Sequence, residues 1–422
     1  MPELELNKTE GAQSASSRWQ HLNQWLSVHQ SLWRPAPFLD PRPDWTSQYP
    51  ALAADVEALS DAACDRFHHD PDQLAEWLTQ FLPSLAERSP LVTLPMLADR
   101  QATLAITLPE TRATDMPGRK REQAGAFAAA VQPLTNPVLD WCCGKGHLAR
   151  TLVSHCPAPV IGLEWDAALV AGGNRLARHF NDKVTLQRQD VMAPDLTLPD
   201  GVHGVALHAC GDLHRQLIQQ VVEVGEPRVS VSPCCYHRTA TANHRPLSKR
   251  VRENDDALAL SRTELRLAVQ ETVTAPARVR AETARLRRWR LGFDGLQRVL
   301  RGVDNYLPVP SHPAWLANED FETFCRWAAD SKGLTLPAGT DFHDWQAFGE
   351  QRLARVHRHE LVRHLFRRPL ELWLVLDYVL FLEERGYQVT LGTFCDRELT
   401  PRNILVDAVR ACGSQSVPHS HP

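Results

Sequence analysis

A carboxylate and two glycines mark the stretch of the 422-residue chain that is best suited to chemistry. An apolar run over residues 137–141 contains Asp140, and the turn after it contains Gly144 and Gly146, before a helical pattern begins at His147. Glycines in such a turn let the backbone bend tightly and let a flat ligand approach without a Cβ in its way. The spacing predicts a strand, a ligand-binding turn and a helix, in that order.

Two further carboxylates follow later apolar runs. Glu164 ends the second run, twenty-four residues after Asp140, and Asp190 comes after the third. Open α/β sheets bind ligands at the carboxyl ends of their strands, and an acid on the second strand hydrogen-bonds ribose hydroxyls. We therefore expect Glu164 to bind the ribose of a nucleoside and Asp190 to accept the adenine amino group.

The glycine turn is compatible with more than one ligand. A dinucleotide prefers Gly-x-Gly-x-x-Gly, and Ala149 stands at the third glycine position, which the fingerprint tolerates. S-adenosylmethionine has no pyrophosphate, so it needs the turn and the carboxylates but no complete phosphate cradle. The pattern favours S-adenosylmethionine and a methyltransferase. A dinucleotide oxidoreductase and a purely structural turn remain as alternatives.

The elements that must position these residues alternate in type. Short apolar runs cover residues 137–141, 159–164, 184–187, 204–208 and 228–232, and helical patterns cover 147–155, 167–180 and 213–224. This alternation predicts a parallel sheet covered by helices. After a long helical stretch, a helix over 370–386 and strands over 388–391 and 403–406 indicate that the sheet resumes.

Charge and pattern divide the chain into modules. The net charge of −4 averages an acidic first 116 residues, at −8, with a remainder at +4. We predict a helical N-terminal module over 1–116, a core over 117–238, a basic helical insertion over 239–369, a second core segment over 370–412 and a disordered tail over 413–422. In the first module, Trp19, Leu22, Trp25 and Leu26 have helical spacing, and Asp70-Pro71 begins a later helix.

Composition excludes several classes of protein. With 43% hydrophobic and 23% charged residues, the chain resembles globular proteins rather than disordered or fibrous ones. Ten scattered cysteines do not make a disulfide scaffold. No signal-like segment is visible, and Glu371 and Asp377 interrupt the longest apolar stretch, which predicts a buried helix rather than a membrane span. We expect a cytoplasmic protein with reduced thiols and no membrane contact.

Several short motifs, taken in order, resemble one family. Residues 140–150 resemble the first motif of class I S-adenosylmethionine-dependent methyltransferases. More narrowly, they resemble the methyltransferase-like 25 group, which includes proteins described as containing a ribosomal-RNA adenine dimethylase domain. The remaining motifs lie at residues 116–122, 208–213, 233–237, 246–248 and 400–403.

The resemblance implies a Rossmann-like α/β fold with a seven-stranded methyltransferase sheet and S-adenosyl-L-methionine as the cofactor. One departure is Cys142, which stands where this class usually has glycine. The cofactor-binding residues implied by motif and resemblance are Lys120, Asp140, Cys142, Gly144, Gly146, Glu164, Asp190 and His208.

The candidate catalytic residues follow the predicted fourth and fifth strands. They are His208, Asp212, Tyr236 and His237. Methyl transfer needs alignment above all, and an acceptor nitrogen or oxygen can also need a base, for which His237 is the candidate. Tyr236 could stack on a planar acceptor. The alternative for Asp212 is a structural role as the cap of the following helix.

Five cysteines fall at predicted strand ends: Cys142, Cys143, Cys210, Cys234 and Cys235. Close packing, a soft-metal site and a reactive thiol are the alternatives. No Cys-x-x-Cys pair is present, and the side chains of adjacent cysteines diverge, so we predict no metal site.

Two arginine clusters in the insertion indicate a possible RNA substrate, because basic side chains can follow a phosphate backbone and Trp289 could stack on a base. The clusters comprise Arg285, Arg287, Arg288 and Arg290, and then Arg355, Arg358, Arg363, Arg367 and Arg368. A protein or small-molecule substrate and a non-catalytic binding module remain open, as does a helix face with partners inside the chain. The oligomeric state is not predicted.

Overall fold

A computed structural model describes residues 14–270, 277–313, 315–316 and 319–411 of the chain. The predicted tail over 413–422 lies outside the described residues.

The sheet has seven strands in the order β3-β2-β1-β4-β5-β7-β6. The strands β1 to β5 are parallel to one another, whereas β7 runs antiparallel to both β5 and β6. This arrangement confirms the predicted Rossmann-like methyltransferase sheet. The strands are β1 Val138–Trp141, β2 Val160–Glu164, β3 Val184–Arg188, β4 His203–Cys210, β5 Arg228–Cys234, β6 Tyr387–Thr393 and β7 Ile404–Arg410.

Helices occupy most of the remaining described residues. In chain order they are α1 Ala15–Val28, α2 Gln30–Trp33, α3 Trp45–Gln48, α4 Pro50–Ala58, α5 Asp61–His69, α6 Pro71–Thr79, α7 Arg88–Val92, α8 Arg100–Ile106, α9 Gly118–Ala130, α10 His147–Leu152, α11 Ala167–His179, α12 Asp212–Val224, α13 Lys249–Arg252, α14 Ala277–Arg301, α15 Phe321–Asp330, α16 Phe342–His364 and α17 Arg367–Glu383.

The predicted helix beginning at Asp70-Pro71 is confirmed. The Asp70 carboxylate accepts hydrogen bonds from the backbone amides of Asp72 and Gln73, and Pro71 occupies the first turn of α6. Aspartate at the cap satisfies amides that have no partner inside the helix, and proline there loses no hydrogen bond. The helical spacing of Trp19, Leu22 and Leu26 is also confirmed, since these side chains are buried on α1.

The described chain divides into two compact units. One contains the sheet and comprises the described parts of 1–24, 91–273 and 368–422; the other is helical and comprises those of 25–90 and 274–367. The helical unit therefore takes segments from both the predicted N-terminal module and the predicted insertion. The module boundaries at residues 116, 238 and 369 stay predictions.

The core of the sheet-containing unit lies between the strands and their helices. Leu139, Val160, Val205 and Val229 are fully buried. The helix α17 is buried over residues 369–382, including Glu371 and Asp377. The Asp377 carboxylate accepts hydrogen bonds from the backbone amides of residues 247 and 248, which explains how a charge is accommodated there. Among the described helices, none has the length and apolarity needed to cross a bilayer.

A buried polar network fixes the amino ends of β4 and β5. The Arg228 guanidinium donates two parallel hydrogen bonds, of 2.9 and 2.8 Å, to the carboxylate of Asp407 on β7. The Ser230 hydroxyl donates to the same carboxylate at 2.6 Å and lies 2.6 Å from Nε2 of His203. Burial lowers the pKa of His203 well below its usual range, so the neutral ring donates from Nε2 to Ser230.

Candidate active site

The loop between β1 and α10 has a glycine-like backbone over several residues. Cys142, Gly144 and Gly146 have φ angles of 58°, 59° and 69°. A side chain in this left-handed region costs about 1–2 kcal/mol, which glycine avoids. The loop therefore keeps the backbone typical of glycine at Cys142, although the residue is a cysteine.

The glycines of the loop and of β2 have different roles. A Cβ added to Gly144 would meet no atom within 4 Å, whereas one added to Gly146 would lie 2.9 Å from the Leu186 side chain. A Cβ on Gly162 would lie 2.7 Å from Sγ of Cys143. Gly146 and Gly162 thus permit close packing beneath the loop, and Gly144 leaves open space in which a ligand can lie.

Asp140 links the first strand to the helix after the loop. Its carboxylate is buried and accepts a hydrogen bond of 3.1 Å from the Ala149 amide. Burial raises the pKa of Asp140 to about 7, and the charge of Glu164 adds to this rise. A buried carboxyl with this pKa gains or loses a proton near neutral pH, so a cationic ligand nearby would favour its ionised form.

Glu164 holds the glycine loop from the end of β2. Its two carboxylate oxygens accept hydrogen bonds of 3.0 Å, one from the Gly144 amide and one from the Asp166 amide. An ionised carboxylate offers about four lone-pair sites. Because two of these bind the backbone, the remaining ones can accept ribose hydroxyls, as the sequence analysis predicts.

Asp190 is exposed after β3, and Oδ1 accepts a hydrogen bond of 2.9 Å from the Met192 amide. Two apolar side chains near the carboxylates of β2 and β3 were not predicted from the sequence. Trp165, directly after Glu164, is 73% exposed, and Met192 is 46% exposed. An exposed tryptophan next to the second-strand acid offers a surface for a base to stack on. The sequence signal was its position directly after Glu164.

His208 lies in an irregular part of β4. Between Leu207 and Cys210, β4 has one residue more than β5, and His208 within this bulge has a φ angle of 65°. Burial lowers the pKa of His208 to about 4, so the ring is neutral at pH 7 and its Nε2 donates to Oε1 of Gln123 at 3.2 Å. Gln123 on α9, which sequence analysis missed, donates in turn to the Leu399 carbonyl.

Lys120 is exposed on the same helix as Gln123, three residues before it. Its charge contributes to lowering the pKa of both His208 and His147, which places it in electrostatic range of both rings. This location is compatible with the mouth of a ligand site, and its role there stays a prediction.

Asp212 does not cap α12, so that alternative is wrong. Gly211 occupies the cap position, and Oδ2 of Asp212 accepts a hydrogen bond of 2.8 Å from the Ala240 amide. Asp212 and Tyr236 face a common recess of about 80 Å³ at the carboxyl ends of β4 and β5. The recess is lined by Asp212, Arg215, Tyr236, Thr239, Thr241, His244, Arg245 and Tyr378.

The other two members of the predicted catalytic set differ in surroundings. Tyr236 is buried, its hydroxyl lies 3.5 Å from Glu371, and burial raises its pKa well above the usual range. His237 is not among the residues lining the recess, and its buried Nδ1 has no hydrogen-bond partner among the described residues. Burial lowers the pKa of His237. The catalytic roles of both residues stay predictions.

Most of the predicted RNA-binding arginines have partners inside the chain. Arg287 binds the Glu360 carboxylate, Arg358 binds Asp61, and Arg368 binds Glu371. Arg290 and Arg363 donate to backbone carbonyls. Trp289 is only 6% exposed. These contacts leave less charge and less aromatic surface for a nucleic acid than the sequence alone indicates.

Comparison with known proteins agrees with this geometry. Residues 119–242 match a family model described as a methyltransferase domain. Together with the strand order, the match supports a methyltransferase core with S-adenosylmethionine as its cofactor. The narrower resemblance to the methyltransferase-like 25 group stays a prediction.

Similarity to individual proteins is low. No curated protein matches the chain. The YcgJ protein of Bacillus subtilis is 19% identical with a TM-score of 0.23, over 26% of this chain and 48% of its own, so this chain spans about half of it. A putative RNA methyltransferase from Pyrococcus horikoshii is 15% identical with a TM-score of 0.24. The match covers 31% of this chain and 71% of the Pyrococcus protein. Magnesium protoporphyrin IX methyltransferase from Synechocystis PCC 6803 is 10% identical with a TM-score of 0.29. The match covers 81% of this chain and 100% of the Synechocystis protein.

Proposed function

We propose that this protein transfers the methyl group of S-adenosylmethionine to RNA. The observation that carries the proposal is the open space over Gly144 beside the Glu164 carboxylate, at the same edge of the sheet as the recess that contains Asp212 and Tyr236. The cofactor supplies an electrophilic methyl on a sulfonium. The protein's own contribution is to hold cofactor and acceptor in line, which can lower a barrier by about 7–11 kcal/mol in favourable cases.

The residues of the cofactor side have distinct tasks in this proposal. Glu164 accepts the ribose hydroxyls with the lone pairs that the backbone leaves available. The exposed ring of Trp165 stacks on the adenine, and Asp190 accepts the adenine amino group. Asp140 supplies a carboxylate that ionises near pH 7 and attracts a cationic ligand.

Cations around the recess support a polyanionic acceptor. Arg215 and Arg245 line the recess, and Nη1 of Arg215 is buried without a hydrogen-bond partner in the described part of the chain. Arg238 and Arg266 lie in electrostatic range of His237, as Arg402 does of His208. Basic side chains at this edge would bind phosphates beside the target base. The basic insertion predicted to bind RNA is a second contact, although its arginines are largely paired.

A small-molecule acceptor is the second candidate. The recess combines aromatic walls with a few polar groups, as sites for small molecules do. In this case the transfer needs no macromolecule, and the cations would bind an anionic group of the substrate.

Two experiments test the function in sequence. Calorimetry with S-adenosylmethionine and S-adenosylhomocysteine should give one binding site per chain, and a folded protein that binds neither would refute the proposal. The full chain is then incubated with methyl-labelled cofactor and separate pools of total RNA, protein and small metabolites. Label that is released by nuclease supports RNA. Label found only in the metabolite pool refutes RNA and supports the second candidate.

A variant pair makes the acceptor test sharper. Arg245→Glu places a negative charge in the recess, and we expect it to reduce RNA labelling at least tenfold with unchanged cofactor affinity. Arg326→Glu is the control, because Arg326 is exposed, forms an ion pair with Glu322 on its own helix and does not line the recess. Equal labelling by the two variants would contradict a role for the recess.

A further inference from the structure

Three thiols from two strands and the following turn lie together at the carboxyl edge of the sheet. Cys210 ends β4 and Cys234 ends β5, where the two residues are paired across the sheet with their Sγ atoms 3.6 Å apart. The sulfur atoms of Cys210, Cys234 and Cys235 all lie within 4.8 Å of one another. All three are free cysteines.

Two local distortions bring these sulfurs together, and neither is visible in the sequence. In a regular strand, successive side chains point to opposite faces. Cys235 has a φ angle of 47°, so the strand direction ends there and its side chain turns toward that of Cys234. The extra residue in β4 sets Cys210 opposite Cys234. The side chains of this adjacent pair therefore do not diverge, and their sulfur atoms lie close enough to bind one ion.

The distances are close to those of a metal–thiolate site. Zinc binds thiolate sulfur at about 2.3 Å in a tetrahedral arrangement, which places two sulfur ligands about 3.8 Å apart. The observed separations of 3.6 Å and at most 4.8 Å require only small side-chain rotations to reach this value. The carbonyl contacts of Cys210 and Cys234, both 3.7 Å, are weak competitors for the sulfurs.

One other group of the described residues has comparable spacing, and its surroundings are different. Asp341, His343 and Asp344 are all exposed, and Asp341 already caps α16. The thiol group is half-buried to buried, and no further Cys, His, Asp or Glu side chain of the described residues belongs to it. A three-ligand site with an open fourth position is typical of zinc sites that exchange a ligand.

We propose that Cys210, Cys234 and Cys235 bind a soft divalent cation of the zinc class, with the fourth position open. The three thiols release their protons to solvent when they bind as thiolates. The site would join the ends of β4 and β5, two residues after His208. It would therefore fix the edge of the sheet on which the acceptor recess lies.

Metal analysis of the full-length protein tests this proposal without any methyl-transfer assay. A chelator first removes metal from the reduced protein, which is then dialysed against a slight excess of Zn²⁺. After unbound metal is removed, the zinc content is measured by elemental mass spectrometry. We expect about one zinc per chain. Substitution with Co²⁺ should give an intense sulfur-to-cobalt charge-transfer band in the near ultraviolet, together with the visible bands of a tetrahedral site.

Single variants assign the ligands. Cys210→Ser, Cys234→Ser and Cys235→Ser should each lower zinc affinity at least tenfold, and the triple variant should bind none. Cys156→Ser is the matched control, because Cys156 is also half-buried with one weak contact to a carbonyl, and it should keep the metal.

Wild-type protein with less than a tenth of an equivalent of zinc and no cobalt–thiolate band would overturn the proposal. So would a triple variant that retains the metal. The cobalt spectrum of the wild type decides the question even if the serine variants fail to fold.

Discussion

The two ends of the same sheet differ in how their polar groups are held. At the amino ends of β4 and β5, Arg228 and Asp407 form a two-bond ion pair within regular strands. At the carboxyl ends, Cys142, His208 and Cys235 have left-handed backbones; these are three of the five such non-glycine residues in the described chain. Strain of this kind persists only where the surrounding structure enforces it, and it concentrates at functional sites.

The difference indicates a division of labour along the strands. At the amino end, the buried charges pair with each other and stabilise the fold. At the carboxyl end, carboxylates, thiols and a recess are available for ligands. Variants at the two ends should therefore separate stability from ligand binding, and the following predictions are ordered by the size of the expected effect.

Breaking the amino-end network should have the largest effect on stability. Asp407→Ala leaves the buried Arg228 guanidinium without its partner, and we expect the free energy of unfolding to fall by about 3–5 kcal/mol. Cofactor affinity at a temperature where the variant is folded should stay within about twofold. Urea titration and calorimetry measure the two quantities. The control Glu322→Ala removes one exposed ion pair, with Arg326, and should cost less than about 1 kcal/mol. Loss of cofactor affinity in folded Asp407→Ala would contradict the division between the two ends.

Removing the charge of Glu164 at the end of β2 should lower cofactor affinity rather than stability. Glu164→Gln loses a charged acceptor for the ribose, and one of its bonds to the Gly144 and Asp166 amides becomes unfavourable. Hydrogen bonds to charged groups contribute about 1.5–3 kcal/mol each, so we expect affinity for S-adenosylmethionine to fall about a hundredfold. Glu223→Gln, on the exposed face of α12, is the control and should bind as the wild type does. Equal affinities of the two variants would place the ribose elsewhere.

The raised pKa of Asp140 predicts a pH dependence of cofactor binding. With a pKa of about 7, its ionised fraction rises from about one tenth at pH 6 to about nine tenths at pH 8, and affinity for the cationic cofactor should rise about tenfold. Calorimetry at both pH values measures this rise, and Asp140→Asn should abolish it.

The folded, unliganded protein holds the Asp140 proton more tightly than the unfolded chain, so the stability of the protein should fall as pH rises from about 4 through 7. If the pH dependence is unchanged in Asp140→Asn, a titratable group other than Asp140 causes it.

The smallest expected effect is a difference in stability between one variant at each end of the sheet. Cys142→Gly relieves a left-handed cysteine, so the free energy of unfolding should stay within about 1 kcal/mol of the wild type. Ser230→Gly, in the regular and fully buried part of β5, loses a hydrogen bond to Asp407 and should cost about 1–3 kcal/mol. Thermal unfolding of both variants checks this difference. If Cys142→Gly costs as much as Ser230→Gly, the loop is not strained.

The fold could be predicted because it depends on local pattern. Apolar runs alternating with helical spacing predicted the parallel strands, and Asp140 and Glu164 lie at the carboxyl ends of the first two. The positions that sequence analysis missed depend on contacts distant in the chain. Gln123 meets His208 only after α9 packs beside β4, and the partners of Arg287 and Arg358 lie 73 and 297 residues away. The turn at Cys235 and the bulge in β4 have no sequence signal, so the thiol cluster could not be predicted.

A crystal structure of the protein grown with S-adenosylhomocysteine tests the central claim most directly. We predict density over Gly144, with both ribose hydroxyls within hydrogen-bond distance of the Glu164 carboxylate and the adenine against Trp165. The sulfur should point toward the recess that contains Asp212 and Tyr236. Density at another place, or a ribose that does not contact Glu164, would contradict the account.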